Sequence, residues 1–304
     1  MRKEGIIMDK NYKFHIVKNR KIFFIISLVV ILAGVISFII QGFNLDIDFL
    51  GGTSMQVNIG VDADRAQCEK ISGIVKEIAG FEASSVQKIG DDGKSVLVKT
   101  KAIDSEVSDK IFQKIKAEYN LTATAPESVD NVSATVGSEM TRQAITAVSI
   151  AIVLMLIYIA IRFEIKVALS AVLALVHDVL VMLAAYTIFQ IPINMTFVAA
   201  LLTILGYSIN ATIIIFDRIR ENNKYKSKES LEDKVNRSIW QTMGRSINTT
   251  LTTLFTIGTL AILGVSSIKI FAVPIIVGLF AGLFSSVFIS GNIYYLFKRE
   301  RKAK

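Results

Sequence analysis

A carboxylate set within a long apolar run demands a chemical reason, and Asp178 is such a residue. It stands about eleven residues into the segment 167–189, which at ~1.5 Å per residue puts it ~16 Å along a helix, near mid-bilayer. An acid there costs about 2.5–3.5 kcal/mol even on lenient insertion scales. Three uses fit: a proton or ion relay, an interhelical partner for Arg245, or a neutral or hydrogen-bonded acid that only fixes helix packing. His177 is adjacent, but neighbouring helix positions point about 100° apart and one histidine makes no metal site, so its expected role is structural.

Three other groups carry polar chemistry at the membrane or its edge. Arg245, Asn248/Thr249, Thr252, Thr256 and Thr259 recur at spacings of three and four, so one stripe of a helix is polar. Such a stripe faces protein or water, as a solvated path or as a packing seam, and Arg245 can equally be an edge anchor. Thr203, Tyr207 and Asn210 share a face of the preceding apolar run, which then passes into Asp217, Arg218, Arg220 and Glu221. Those four either pair internally at i,i+4 or form a solvated helix end. Nearer the N-terminus, Asp46 and Asp48 precede the pair Gly51-Gly52; a turn from helix into strand, permitted by glycine at positive φ, is favoured there over a calcium or substrate site.

The elements that must position these residues follow from composition. Of 304 residues 52% are hydrophobic, 20% are charged and three are proline, which excludes a disordered or collagen-like chain and argues against an ordinary soluble enzyme. A single cysteine, Cys68, rules out an internal disulfide and a cysteine-based zinc site. Walker loops, HExxH and nucleophile elbows are missing, so neither an enzyme nor a cofactor or metal is expected.

Six apolar runs are long enough to cross a bilayer: 22–41, 144–161, 167–189, 194–216, 249–264 and 270–297. The first reads as an uncleaved signal anchor, since Ile39-Ile40-Gln41 offers no small-residue cleavage site. Residues 42–143 have soluble composition. Their periodicity predicts strand 55–59, helix 62–79, strand 84–89, a turn at Asp91-Asp92-Gly93, strand 96–100, helix 104–119 and a β-prone tail over 132–136. That order suggests a small ferredoxin-like α+β domain.

Basic residues set the orientation. Segment 1–21 holds seven Lys/Arg, loop 217–248 eight and the tail 298–304 five, whereas loops 190–193 and 265–270 hold only Lys269. The positive-inside rule then puts both termini in the cytoplasm and 42–143 outside. The net charge of +8 is thus an orientation signal, and no nucleic-acid partner is expected. Within 217–248, Leu231, Val235, Ile239 and Met243 recur every four residues, predicting an amphipathic helix on the cytoplasmic membrane face with Trp240 at the interface; a solvated linker helix is the alternative.

Taken together, Phe43–Thr53 (FNLDIDFLGGT), Val136–Met140 (VGSEM), Arg162–Leu180 (RFEIKVALSAVLALVHDVL), Gly206–Asn222 (GYSINATIIIFDRIREN) and Ile247–Leu254 (INTTLTTL) resemble the SecF family of bacterial protein-export membrane subunits. The resemblance runs over nearly the whole chain. It implies an α-helical, multi-pass protein of the bacterial cytoplasmic (inner) membrane, a six-span resistance-nodulation-division-type bundle with the extracytoplasmic domain between spans 1 and 2. It implies SecD as the other six-span half, the SecYEG channel, a YajC-like accessory subunit, SecA indirectly and the translocating preprotein as partners. The implied activity is proton-motive-force-dependent export and release of preproteins. By the same resemblance Arg245 matches the family's intramembrane arginine and Asp178 its His-Asp pair, making Asp178, Arg245, Asn210, Thr249 and Thr252 the coupling candidates.

One departure stands out. Many relatives read GYSIND where this chain has Ala211, so the acid usually given the proton-carrying role is missing. SecD supplies the acid, Asp178 takes over, or coupling is weak; the first is favoured because two halves would share one polar centre. The competing functions are half of a small-molecule or lipid exporter of the same superfamily, for which ~100 outer residues is little, and a passive channel-stabilising scaffold.

Overall fold

The computed structural model describes residues 14–90, 92–224, 229–264 and 266–299. Most of the basic N-terminal segment, Asp91 of the predicted turn and most of the basic tail lie outside the described residues.

Helix α1 (Arg20–Gln41) leads through Gly42 into the one-turn helix α2 (Ile47–Leu50), whose first N–H is accepted by the Asp46 side chain at 2.7 Å. Gly51 and Gly52 follow at φ +73° and +146°, values that L side chains avoid, and the chain enters strand β1 (Gly52–Asn58). Then come α3 (Arg65–Ala79), β2 (Ser85–Ile89), β3 (Ser95–Thr100), α4 (Ser105–Tyr119) and β4 (Ser128–Val132). Asp64 caps α3 by accepting from the Gln67 N–H, and Gly80 and Asn120 end α3 and α4 in the left-handed conformation. The four strands form one antiparallel sheet in the order β2-β3-β1-β4. Met55, Val57, Val96 and Val98 are buried against Ile71, Val75, Ile111, Phe112 and Ile115, each such side chain contributing about 1.5–3 kcal/mol.

The predicted β-prone tail over 132–136 is displaced. The strand is β4, ending at Val132, and Ser133 already caps the next helix, α5 (Ala134–Arg162), by accepting from the Val136 N–H. A capping serine outweighs the β-branched side chains that follow it.

Beyond α5 the chain is helical: α6 (Ile165–Ile188), α7 (Met195–Lys224), α8 (Leu231–Leu263), α9 (Ser266–Phe284), a π-helical turn Ser285–Ser290 and α10 (Gly291–Arg299). Among the described residues six helical stretches are long and apolar enough to cross a membrane, the last running through α9, the π turn and α10. Most outrun the apolar segments that signalled them, α5 starting ten residues before 144. Close crossings rest on small residues: a Cβ on Gly34 of α1 would collide with Ala184 of α6, and one on Gly278 of α9 would lie 2.5 Å from Ile204 of α7.

The segment 217–248 is not a separate surface helix. Its first part completes α7, its second begins α8, and Val235 and Ile239 are fully buried in one cluster with Ile16, Ile219 and Tyr294. The four-residue apolar period is therefore a packing face of the bundle, not a lipid face. Trp240 donates its indole N–H to the Phe14 carbonyl at 3.0 Å.

The α/β domain is tied to one end of the bundle by main-chain bonds from Asp46 to Ile193 (2.9 Å) and from Ile193 to Asn44 (2.8 Å). Asp48 accepts from the Met195 N–H at the start of α7 at 2.9 Å. Asp46 also pairs with Lys99 of β3 at 2.7 Å, with both side chains about nine-tenths buried. The two acids of the 46–52 segment therefore join domain to bundle.

Candidate functional site

Asp178 lies in the middle of α6, fully buried, where α1, α6, α7 and the π turn meet. One carboxylate oxygen accepts from the hydroxyls of Ser208 on α7 (2.5 Å) and Ser285 of the π turn (2.9 Å). The other lies 3.1 Å from His177 Nδ1, and His177 Nε2 lies 2.9 Å from the Ser27 hydroxyl on α1. One assignment satisfies every atom: Ser27 donates to Nε2, the Nδ1–H donates to Asp178, and the two other serines donate to its second oxygen. Three donors thus converge on one carboxylate.

This geometry closes one of the uses open to Asp178 and brings His177 to the same site. Asp178 does not pair with Arg245; its partners are hydroxyls and the neighbouring imidazole. His177 joins the site because rotation about its side-chain bonds brings adjacent residues together despite the 100° offset of their Cα–Cβ directions. On its far side the imidazole lies over the Phe284 ring, centroids 6.0 Å apart, beside an apolar cavity of about 590 Å³ lined by Ile26, Val30 and Phe280. The surroundings are apolar, so the cluster reads as a polar clamp on four elements.

Sequence reasoning missed Ser27, Ser208 and Ser285. Serines in apolar spans are a weak signal, though Ser285-Ser286 in the last span is a polar pair with no surface reason. The π turn itself has no sequence signature, yet it is the kind of irregularity found at sites of function.

The second region is an open face. Arg245, Asn248, Thr249, Thr252, Thr256 and Thr259 of α8 are exposed, as are Thr203 and Asn210 of α7. The threonine hydroxyls satisfy themselves on carbonyls of their own helix, Thr249 on Arg245 at 2.9 Å and Thr256 on Thr252 at 3.1 Å. The side chains of Asn210, Asn248 and Arg245 make no hydrogen bond to another described residue. Helix α5 is equally exposed but with Ile150, Val153, Leu154 and Ile157 outward. The contrast separates a lipid-facing helix from one whose outward polar groups need a partner. Tyr207, which shares the Asn210 face, donates to Thr250 across to α8 at 3.3 Å, and Ala211 is buried.

The third region lies at the bundle end remote from the α/β domain. Asp217 pairs with Arg220 at 2.9 Å and Arg218 with Glu221 at 2.7 Å. Both are i,i+3 pairs, not the i,i+4 pairs anticipated, because the one i,i+4 spacing among the four joins two acids, Asp217 and Glu221; Arg218 also reaches Gln241 of α8, and Asp217 turns toward Arg162 of α5. Arg245 lines the same cavity as these residues, away from Asp178.

Six membrane-length helices, an α/β domain inserted after the first and a polar clamp in the bundle define a multi-span α-helical membrane protein. A family model described as the C-terminal part of the protein export membrane proteins SecD/SecF matches residues 110–300, and the chain belongs to that SecD/SecF family. Protein translocase subunit SecF of Sebaldella termitidis is 38% identical over 94% of this chain and 92% of its own length; that of Acidaminococcus fermentans is 39% identical over 95% and 99%. Protein translocase subunit SecDF of Bacillus subtilis is 37% identical over 95% of this chain but 39% of its own length. The crystal structure of SecDF from Thermus thermophilus, a translocon-associated membrane protein, superposes with a TM-score of 0.84 at 31% identity, over 94% of this chain and 39% of that one.

Proposed function

We propose that this chain is the SecF half of a Sec protein translocase accessory complex, supporting preprotein export across the bacterial cytoplasmic membrane without enzymatic chemistry. The near end-to-end match to SecF subunits carries the reading. SecD is the other six-span half: in the fused SecDF relatives this chain's equivalent occupies about two fifths of one polypeptide, and the exposed polar groups on α7 and α8 are the surface it would cover. SecYEG, with a YajC-like subunit, is the wider assembly. The basic segments favour both termini in the cytoplasm, which makes the α/β domain extracytoplasmic. Its βαββαβ order with strands 2-3-1-4 supports a ferredoxin-like fold, and the bundle is of resistance-nodulation-division type.

Energy comes from the proton-motive force. One charge moved through 100 mV is worth about 2.3 kcal/mol, enough to bias a domain rearrangement transmitted through the Asp46–Lys99 and Asp48–Met195 links. With Ala211 in place of an acid and Asp178 held in a buried clamp, the titrating acid is SecD's, presented to Arg245, Asn210, Thr249 and Thr252. Ala211 equally favours a passive scaffold, so the test must separate them. Pulse-labelled preprotein should be processed more slowly in cells lacking the chain while the gradient is intact, and collapsing the gradient should add no further delay. A full additional delay on collapse would mean a scaffold that couples nothing.

A further inference from the structure

The cavity at the remote end of the bundle holds more positive charge than it neutralises. Its volume is about 630 Å³, and it lies between the C-terminus of α5, the end of α7 and the start of α8. Five cationic side chains line it, those of Arg162, Arg218, Arg220, Lys224 and Arg245, against two carboxylates, Asp217 and Glu221. Arg218 is taken by Glu221 and Arg220 by Asp217. Arg162 has only a shared, 3.9 Å approach to that same Asp217. Lys224 and Arg245 have no ion-pair partner among the described residues.

Two arginines are also held ready. The guanidinium carbons of Arg162 and Arg220 lie 5.3 and 5.2 Å from the centroid of the Phe163 ring, within cation–π range, which gathers both cations at one wall of the cavity. Guanidinium forks gathered at one wall with a surplus of charge match a tetrahedral oxyanion, above all phosphate, which accepts from several donors at once.

The position favours a phosphate that carries an acyl tail. Ile214 of α7 reaches into the cavity from the apolar side, so the site lies where membrane-length helices give way to charge. From Arg162 back along α5, Tyr158 and Leu154 recur every four residues on one face, both more than half exposed. A headgroup in the cavity would leave its chain along that strip.

We infer that this cavity binds the phosphate of an anionic phospholipid headgroup, clamped by Arg162, Arg220 and Lys224, with the acyl chain along the Tyr158–Leu154 face of α5. The site tethers the α5–α7–α8 corner to the bilayer surface. It stands independently of the export reading, since the test below measures no transport.

The full chain, purified in detergent, is titrated with phosphatidylglycerol or phosphatidylcholine, and bound lipid is counted by native mass spectrometry. Phosphatidylglycerol is retained and phosphatidylcholine is not. Lys224→Gln and Arg162→Gln each weaken retention by about tenfold, the scale of losing a charge-assisted contact. Lys224 is exempt from any folding role visible in its contacts, so its variant stays informative if Arg162→Gln misfolds. Excess inorganic phosphate fails to displace the lipid. If inorganic phosphate alone binds, competes and is lost in the same variants, the phosphate chemistry holds and the lipid assignment falls. Equal retention by wild type and Lys224→Gln, or equal binding of the two lipids, overturns the site.

Discussion

Replacing Asp178 with alanine and with asparagine separates a clamp from a proton carrier. Alanine removes the acceptor of three donors. The two serine hydroxyls can fall back on helix carbonyls, as Ser285 already approaches Gly282 at 3.3 Å, so each forfeits only about 0.6 kcal/mol, the average for an interhelical hydrogen bond in a membrane. His177 can switch tautomer so that Nε2–H donates to Ser27, but its Nδ1 is then a buried acceptor with no donor, at a cost of about 1–3 kcal/mol, bringing the total to roughly 2–4 kcal/mol. Asparagine behaves differently. Its carbonyl accepts from Ser208 and Ser285, its amide donates to Nδ1, and His177 changes tautomer so that Nε2–H donates to Ser27; every group stays satisfied and the loss is under about 1 kcal/mol. Thermal unfolding of the purified chain reads the stability, and pulse-chase processing of a preprotein reads export. The expectation is that Asp178→Ala lowers both, whereas Asp178→Asn keeps the fold and keeps gradient-dependent export. A well-folded Asp178→Asn chain that no longer responds to the gradient, while export survives loss of SecD's intramembrane acid, refutes the clamp and makes Asp178 the carrier.

Three further outcomes follow from the geometry. Gly278→Val should lower thermal stability by about 1–3 kcal/mol, since its Cβ meets Ile204 at 2.5 Å, while Gly206→Ala, which meets nothing, should be within experimental scatter in the same melt. Lys99→Ala should loosen the domain from the bundle by up to about 3 kcal/mol because it leaves Asp46 buried and unpaired; limited proteolysis near residue 44 should accelerate, and Asp46→Asn added to it should recover part of the loss. Burial, and next the Asp64 carboxylate, push the Cys68 thiol above its ordinary pKa, with Lys88 opposing; alkylation needs the thiolate, so its pH profile should lie on the alkaline side of that of free cysteine. An unshifted profile would mean that this thiol is open to water.

The order of the outer domain was legible because its strands and helices obey local rules: alternation in Val96-Leu97-Val98, a three-to-four spacing in Ile71, Ile74, Val75 and Ile78, and aspartate caps. The spans were legible from length alone. What local rules could not supply was which neighbour each face meets. The period of Leu231, Val235, Ile239 and Met243 is identical for a helix on a membrane and for one packed on Ile219 and Tyr294, and only the tertiary structure distinguishes them. Asp178 was found from the cost of burying its charge, but the cluster around it draws on α1, α7 and a π turn, through contacts up to 150 positions apart in sequence, as between Ser27 and His177. Serine has no period and too small a hydropathy signature to announce such a role.

The claim on which the mechanism turns is that a second six-span half covers the polar face of α7 and α8 and brings the titrating acid to it. Photo-crosslinking in native membranes tests this directly, with a benzoyl-phenylalanine at Thr252 on that face and, separately, at Ile150 on the apolar face of α5. An adduct of the size of this chain plus SecD from Thr252, and none from Ile150, is the predicted result. No SecD adduct from Thr252, or equal yields from the two positions, contradicts it.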